Sequence, residues 1–128
     1  MARVAVARVG AVAPGAAWRV LVDRLWPRGV RKEEAPWDEW LPGVAPSAEL
    51  RRWYGHDPAR YPAFRERYQE ELAAARAGPD VQHLLALCRR GPVVLLTATR
   101  DLEHSQVPVL AAFLAEELRR EEAEGDGR

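Results

Sequence analysis

Cysteine is almost absent from this chain. Cys88 is the sole example, so the sequence can build neither a disulfide framework nor a multi-cysteine metal site. Long apolar runs are missing too: no stretch approaches the roughly 20 residues of a membrane span, and the N-terminus lacks the basic-then-apolar pattern of a secretory leader. Net charge is lacking as well, since 19 basic residues balance 19 acidic ones. With no global field toward nucleic acid or an anionic bilayer, any anion site has to be local. These deficits predict a cytoplasmic, soluble protein with no membrane association and no strong nucleic-acid signal. Lysine is the last scarcity: Lys32 stands alone, and the other cations are arginines. The alanine-rich composition makes a GC-rich genome, a thermophile's included, the first explanation of that skew. A functional explanation is that guanidinium forks suit carboxylate and phosphate.

What is present predicts an α/β fold: a single compact domain over 1–120, with a small, mainly parallel sheet flanked by helices, and a flexible tail over 121–128. A chain of 128 residues can bury about two-thirds of its unfolded surface. Alternation over Arg3 to Val9 predicts a strand, 11–17 a loop, and Trp18 to Asp23 a second strand. Trp37, Trp40 and Leu41, spaced by three and four, predict one helical turn. Ser47 is a helix cap with Glu49 in the first turn, and Gly55 stops that helix. Asp57-Pro58 reads as cap and first residue of the next, with Phe64, Tyr68 and Leu72 on one face. Asp80 is expected to cap a helix carrying Val81, Leu84, Leu85 and Cys88. Val93 to Leu96 reads as a strand buried on both faces, and a last helix starts near Ser105 to Val107.

The stretch most able to carry chemistry is Val20 to Gly29, Val-Leu-Val-Asp-Arg-Leu-Trp-Pro-Arg-Gly. An apolar run that ends without a spacer in charge is how an α/β sheet presents a site. If the second and third strands are parallel, as a crossover of this length predicts, their carboxyl ends share an edge. Asp23, Arg24 and Arg28 would then face the loop bearing Arg100, Asp101 and His104, with His56-Asp57 on a third side. Asp57 reads first as a helix cap, and Asp23 invites an ion pair with Arg24, Arg28 or Arg100. Trp26 can stack on a planar ligand or an arginine, and Gly29 lets the backbone turn. Asp101 and His104 could hold a metal with His56 and Asp23, but no HExxH or Cys/His spacing supports it. No metal is therefore assigned. There is no Walker loop, GxGxxG or GxSxG, so no cofactor is expected either.

Three segments, RVLVDRLWPRG (Arg19 to Gly29), WLPGVAPSAELRRWYGHDPARYPAFRERYQEEL (Trp40 to Leu72) and VVLLTATRDLEHSQVPVLAAFL (Val93 to Leu114), resemble the YeaO-like family of small bacterial proteins. That family sits in a larger domain-of-unknown-function superfamily. The resemblance spans nearly the whole chain and implies a compact α/β fold with a mainly parallel sheet. It also implies that Asp23, Arg24, Trp26, Pro27, Arg28, Gly29, His56, Asp57, Asp101 and His104 are motif positions. It brings no activity. The family typically reads Asn-His where this chain has Ser105-Gln106, and usually another residue at Arg100, which argues against specific roles there.

The leading expectation is an enzyme acting on a small anionic substrate, phosphate-bearing or nucleotide-like. Arg24 and Arg28 would grip the anion, His56 or His104 would move a proton, Asp57 or Asp101 would orient the imidazole, and Asp23 would position an arginine or water. The alternative is a non-catalytic module that senses an anion in the same pocket. A third reading makes the charges an internal ion-pair network.

Overall fold

The computed structural model describes residues 4–11 and 15–126. Arg3, residues 12–14 of the expected loop and residues 127–128 lie outside them. The elements are β1 (Val4–Arg8), β2 (Trp18–Leu21), β3 (Glu39–Trp40), α1 (Ala48–Tyr54), α2 (Tyr61–Ala74), α3 (Pro79–Arg90), β4 (Val93–Thr97) and α4 (Val107–Asp126). All four strands are parallel, in the order β1-β4-β2-β3. The last strand in sequence thus runs between the first two, and every residue of β4 is buried. This is a compact α/β domain.

Side chains alternate across the sheet, and its faces are covered differently. Val20, Val22, Val93 and Leu95 point to the helices, meeting Leu50 and Tyr54 of α1, Phe64 and Tyr68 of α2, Leu84 of α3 and Leu110 of α4. Leu21, Val94 and Leu96 point the other way, where Trp26, Val30, Ala35 and Trp37 of the connection after β2 cover them. Leu84, Leu95, Leu110 and Leu114 are fully buried, and truncating any one to alanine costs about 2–5 kcal/mol.

Capping follows the sequence closely at two starts. Ser47 Oγ accepts from Leu50 N–H at 3.1 Å, and Asp57 Oδ1 accepts from Ala59 N–H at 3.1 Å, ahead of a 3-10 turn that leads into α2. Gly55 ends α1 in the left-handed region at φ 55°. Elsewhere local patterns mislead. Trp37, Trp40 and Leu41 form no helical turn; Asp38 and Leu41 donate their N–H groups to the Arg19 and Leu21 carbonyls, so this segment pairs with β2. Gly78, not Asp80, stands at the N-cap of α3, and Asp80 instead approaches Gly43 so closely that a Cβ there would strike its carboxyl. The expected tail at 121 is helical through Asp126, and Glu121 in that stretch is ion-paired with Arg89 of α3.

Candidate functional site

Parallel pairing carries the carboxyl ends of β2 and β4 to one edge. Val22 N–H still donates to the Leu96 carbonyl, at 3.0 Å, and the next residue is Asp23. Its Oδ1 accepts from Thr97 Oγ1 at 2.6 Å and from Gln106 Nε2 at 2.8 Å, and its Oδ2 accepts from Ala98 N–H at 2.8 Å. Three donors from the end of β4, the loop after it and the residue before α4 therefore converge on one carboxylate. The ion pair that Asp23 invites in the sequence is not formed: these neutral donors occupy its lone pairs, and no arginine does.

Beyond Asp23 opens a cleft of about 750 Å³. Asp23, Arg24, Trp26, Arg28, His56, Arg100 and Asp101 all line it, from three separate stretches of chain. Its wall also includes Leu25, Pro27, Arg51, Tyr54 and Phe64. Gly29, Asp57 and His104 do not line it. Gly29 has φ 77°, so its part is to let the chain turn back after Arg28. Asp57 is engaged as the cap and in a 3.7 Å pair with Arg60. His104 stands just behind the wall, its Nδ1 2.8 Å from Asp101 Oδ2 and its ring edge-on to Tyr61.

The arginines divide into two kinds. Arg24 Nε donates to the Pro46 carbonyl at 2.9 Å, tying the loop after β2 to the segment before α1. Arg28, Arg51 and Arg100 are exposed, and their guanidinium groups make no hydrogen bond or ion pair among the described residues. Four arginines against two aspartates make the lining locally cationic although the chain as a whole is neutral. Trp26 lines the cleft while packing edge-on against Trp37 and Trp40 and donating Nε1 to the Val30 carbonyl.

Two phenols hold the far wall. Tyr54 Oη donates to the His104 carbonyl at 2.5 Å, and Tyr61 Oη to the Ser105 carbonyl at 2.9 Å. Burial, seconded by the nearby Tyr61, Asp101 and Asp57, pushes the Tyr54 phenol up to about 12. Burial raises Tyr61 as well. Both remain neutral donors near pH 7. His56 follows Gly55 into the left-handed region with φ 56°, the only described non-glycine residue to do so, and its ring makes no hydrogen bond. Among the described residues no three His, Cys, Asp or Glu side chains gather as a metal site.

Sequence reasoning passed over Arg51, Tyr54, Phe64 and Gln106. Arg51 looks like any solvated helix residue, and only the packing of α1 brings it to the cleft. Gln106 stands where the YeaO-like pattern has another residue, yet it is the side chain that links Asp23 to the start of α4. No helix among the described residues is long and apolar enough to cross a membrane.

Uncharacterized protein Rv3073c of Mycobacterium tuberculosis is 46% identical to this chain over 113 residues, 88% of this chain and 93% of its own length. Uncharacterized protein Mb3100c of Mycobacterium bovis matches with the same 46% identity over the same 88% and 93% shares. Uncharacterized protein YeaO of Escherichia coli is 36% identical over 97 residues, 76% of this chain and 83% of that protein. No solved structure matches. A family profile described as "Inactive DUF488-N3 subclade" matches residues 3–128. The chain belongs to that family, a YeaO-like group of bacterial proteins.

Proposed function

We propose that the protein is a non-catalytic binding module for a small anion, held in the cleft by Arg28, Arg51 and Arg100. The observation that carries this reading is the pairing pattern. Three guanidinium groups line one cavity without a carboxylate partner among the described residues, and unpaired forks of this kind suit phosphate and carboxylate. The expected proton-transfer pairs are meanwhile not assembled in the cleft: Asp101 orients His104, whose ring does not line the cavity, and His56, which does line it, has no hydrogen-bonded carboxylate, since Asp57 is engaged with Ala59 and Arg60. The description of the family as inactive agrees with this reading.

The test is calorimetric titration with inorganic phosphate and pyrophosphate of the native protein and of Arg28→Gln, Arg51→Gln, His56→Ala and His104→Ala variants. The arginine variants should weaken binding about tenfold, and both histidine variants should keep it. Heat of binding that is absent, or that is indifferent to the arginines, overturns the reading. The rival is an enzyme acting on a phosphate-bearing or nucleotide-like substrate. It draws on His56, whose unbonded ring lines the same cavity. Turnover of a phosphate ester, glycoside or nucleoside that His56→Ala abolishes while binding persists would establish it.

A further inference from the structure

The cleft is larger than a bare inorganic ion fills. A cavity of about 750 Å³ falls within the ~300–1,000 Å³ range of sites that enclose whole organic ligands. Behind it lies the stacked pair Tyr54 and Phe64, with ring centroids 4.3 Å apart and planes inclined by 22°, both nearly buried, so they back the cavity rather than open onto it. Tyr54 has given its hydroxyl to the His104 carbonyl, so its ring puts only an apolar face behind the cavity. Leu25 and Pro27 supply the open apolar surface, and Pro46 is buried behind them with its carbonyl occupied by Arg24. Leu25 lines the cleft and is 61% exposed. A hydrated phosphate on the guanidinium groups would leave this apolar surface against water.

Building on the proposed anion reading, we infer that the ligand is an organic anion with a flat, apolar or aromatic body. Its charged end meets Arg28, Arg51 and Arg100, and its body lies along Leu25 and Pro27, with Tyr54 and Phe64 behind. Burying a ring of bicyclic size against such a wall adds affinity in proportion to the apolar area removed from water. The recognition is then bipartite, with charge selecting the head and the wall selecting the body.

The experiment compares inorganic phosphate, phenyl phosphate and 1-naphthyl phosphate by calorimetric titration of the native protein, Leu25→Ser and Arg28→Gln. Leu25 is exposed and Arg28 makes no bond, so both variants are expected to fold, which circular dichroism checks. Affinity should rise in the order inorganic, phenyl, naphthyl, with at least about tenfold between the ends. Leu25→Ser should shrink that span several-fold while leaving inorganic phosphate unchanged. Arg28→Gln should weaken all three together. Equal affinity for the three ions, still dependent on Arg28, overturns the organic ligand and leaves the anion module standing. Binding that ignores Arg28, or no binding of any probe, overturns both.

Discussion

Arg19, in β2, holds Asp38 in a two-pronged ion pair at 3.1 and 3.2 Å, whereas Arg28, beyond the carboxyl end of the same strand, faces a cleft and holds nothing. The contrast extends across the molecule. Arg76 meets Glu117, Arg89 meets Glu121 and Arg119 meets Glu116, all on or between the helices. Arg51 and Arg100 join Arg28 in the cleft without a carboxylate. Acidic residues are as numerous as basic ones, so the unpaired state of the cleft cations does not come from a shortage of partners. It comes from where the fold puts the acids. Asp23 and Asp101 are the carboxylates nearest to hand, and Thr97, Ala98, Gln106 and His104 have already engaged them. A cavity arranged this way keeps a positive lining that an anion can neutralise.

The most drastic way to break the contrast is to remove the residue that frames the cleft. Asp23→Ala deletes three hydrogen bonds to a carboxylate and leaves the Ala98 N–H and the Thr97 hydroxyl without their acceptor, the Gln106 amide keeping the Val22 carbonyl. Urea unfolding should register a loss of about 3 kcal/mol, and phosphate binding should fail with it. Asp23→Asn should fall nearly as far, because an amide nitrogen cannot accept from the Ala98 N–H. A smaller change isolates the charges. Arg28→Gln should weaken anion binding about tenfold by titration and leave the urea midpoint unmoved, since no protein contact is lost. Arg89→Gln is the mirror experiment: it removes an exposed ion pair and should leave binding untouched. If Arg28→Gln unfolds the protein, the two kinds of arginine are not different after all.

His56 sharpens the comparison from the backbone side. A non-glycine residue in the left-handed region costs roughly 1–2 kcal/mol, and a single position like this persists only where its surroundings impose it. His56→Gly relieves that cost but loosens the unfolded chain, so the melting temperature should rise by only a few degrees, about 0.5–1 kcal/mol of stability. A fall in melting temperature would mean that the ring's packing near Tyr54 outweighs the backbone.

Much of this was legible in the sequence where the cause is local. The Ser47 and Asp57 caps, the Gly55 stop and the all-buried run of β4 each follow from a few adjacent residues. The convergence of the Asp23, His56 and Arg100 segments was legible too, because the length of the crossover predicts parallel strands and parallel strands share an edge. What local pattern could not give was set by partners far away. Trp37, Trp40 and Leu41 have helical spacing but were claimed by β2, and Asp80 has cap chemistry but sits against Gly43. Arg51 and Tyr54, three apart on α1, both line the cavity, and nothing in that spacing says that this side of the helix meets it. Unpaired and paired arginines are the same letter, and only the fold separates them.

The smallest effect is also the one that reports on the paired arginines alone. The Arg19 guanidinium, through its side-chain hydrogen bond, holds Asp38 below the usual carboxylate range, and Arg89 and Arg119 do the same for Glu121 and Glu116. A carboxyl group with a depressed folded pKa adds stability that is fully present above its unfolded value of about 4, and that stability drains away as the pH falls through the folded value. Melting temperature should thus be level from neutrality to about pH 5 and decline below it. These pairs are largely exposed, so the decline is shallow and should lessen in 1 M salt, where screening reaches about 3 Å. Asp38→Asn combined with Glu121→Gln should flatten it further, because neither replacement titrates. The Arg28→Gln variant should follow the native curve throughout, since that guanidinium depresses no carboxylate in the folded protein. A cleft variant that altered the acid limb would place Arg28 among the structural ion pairs, and the distinction between the two sets of arginines would go with it.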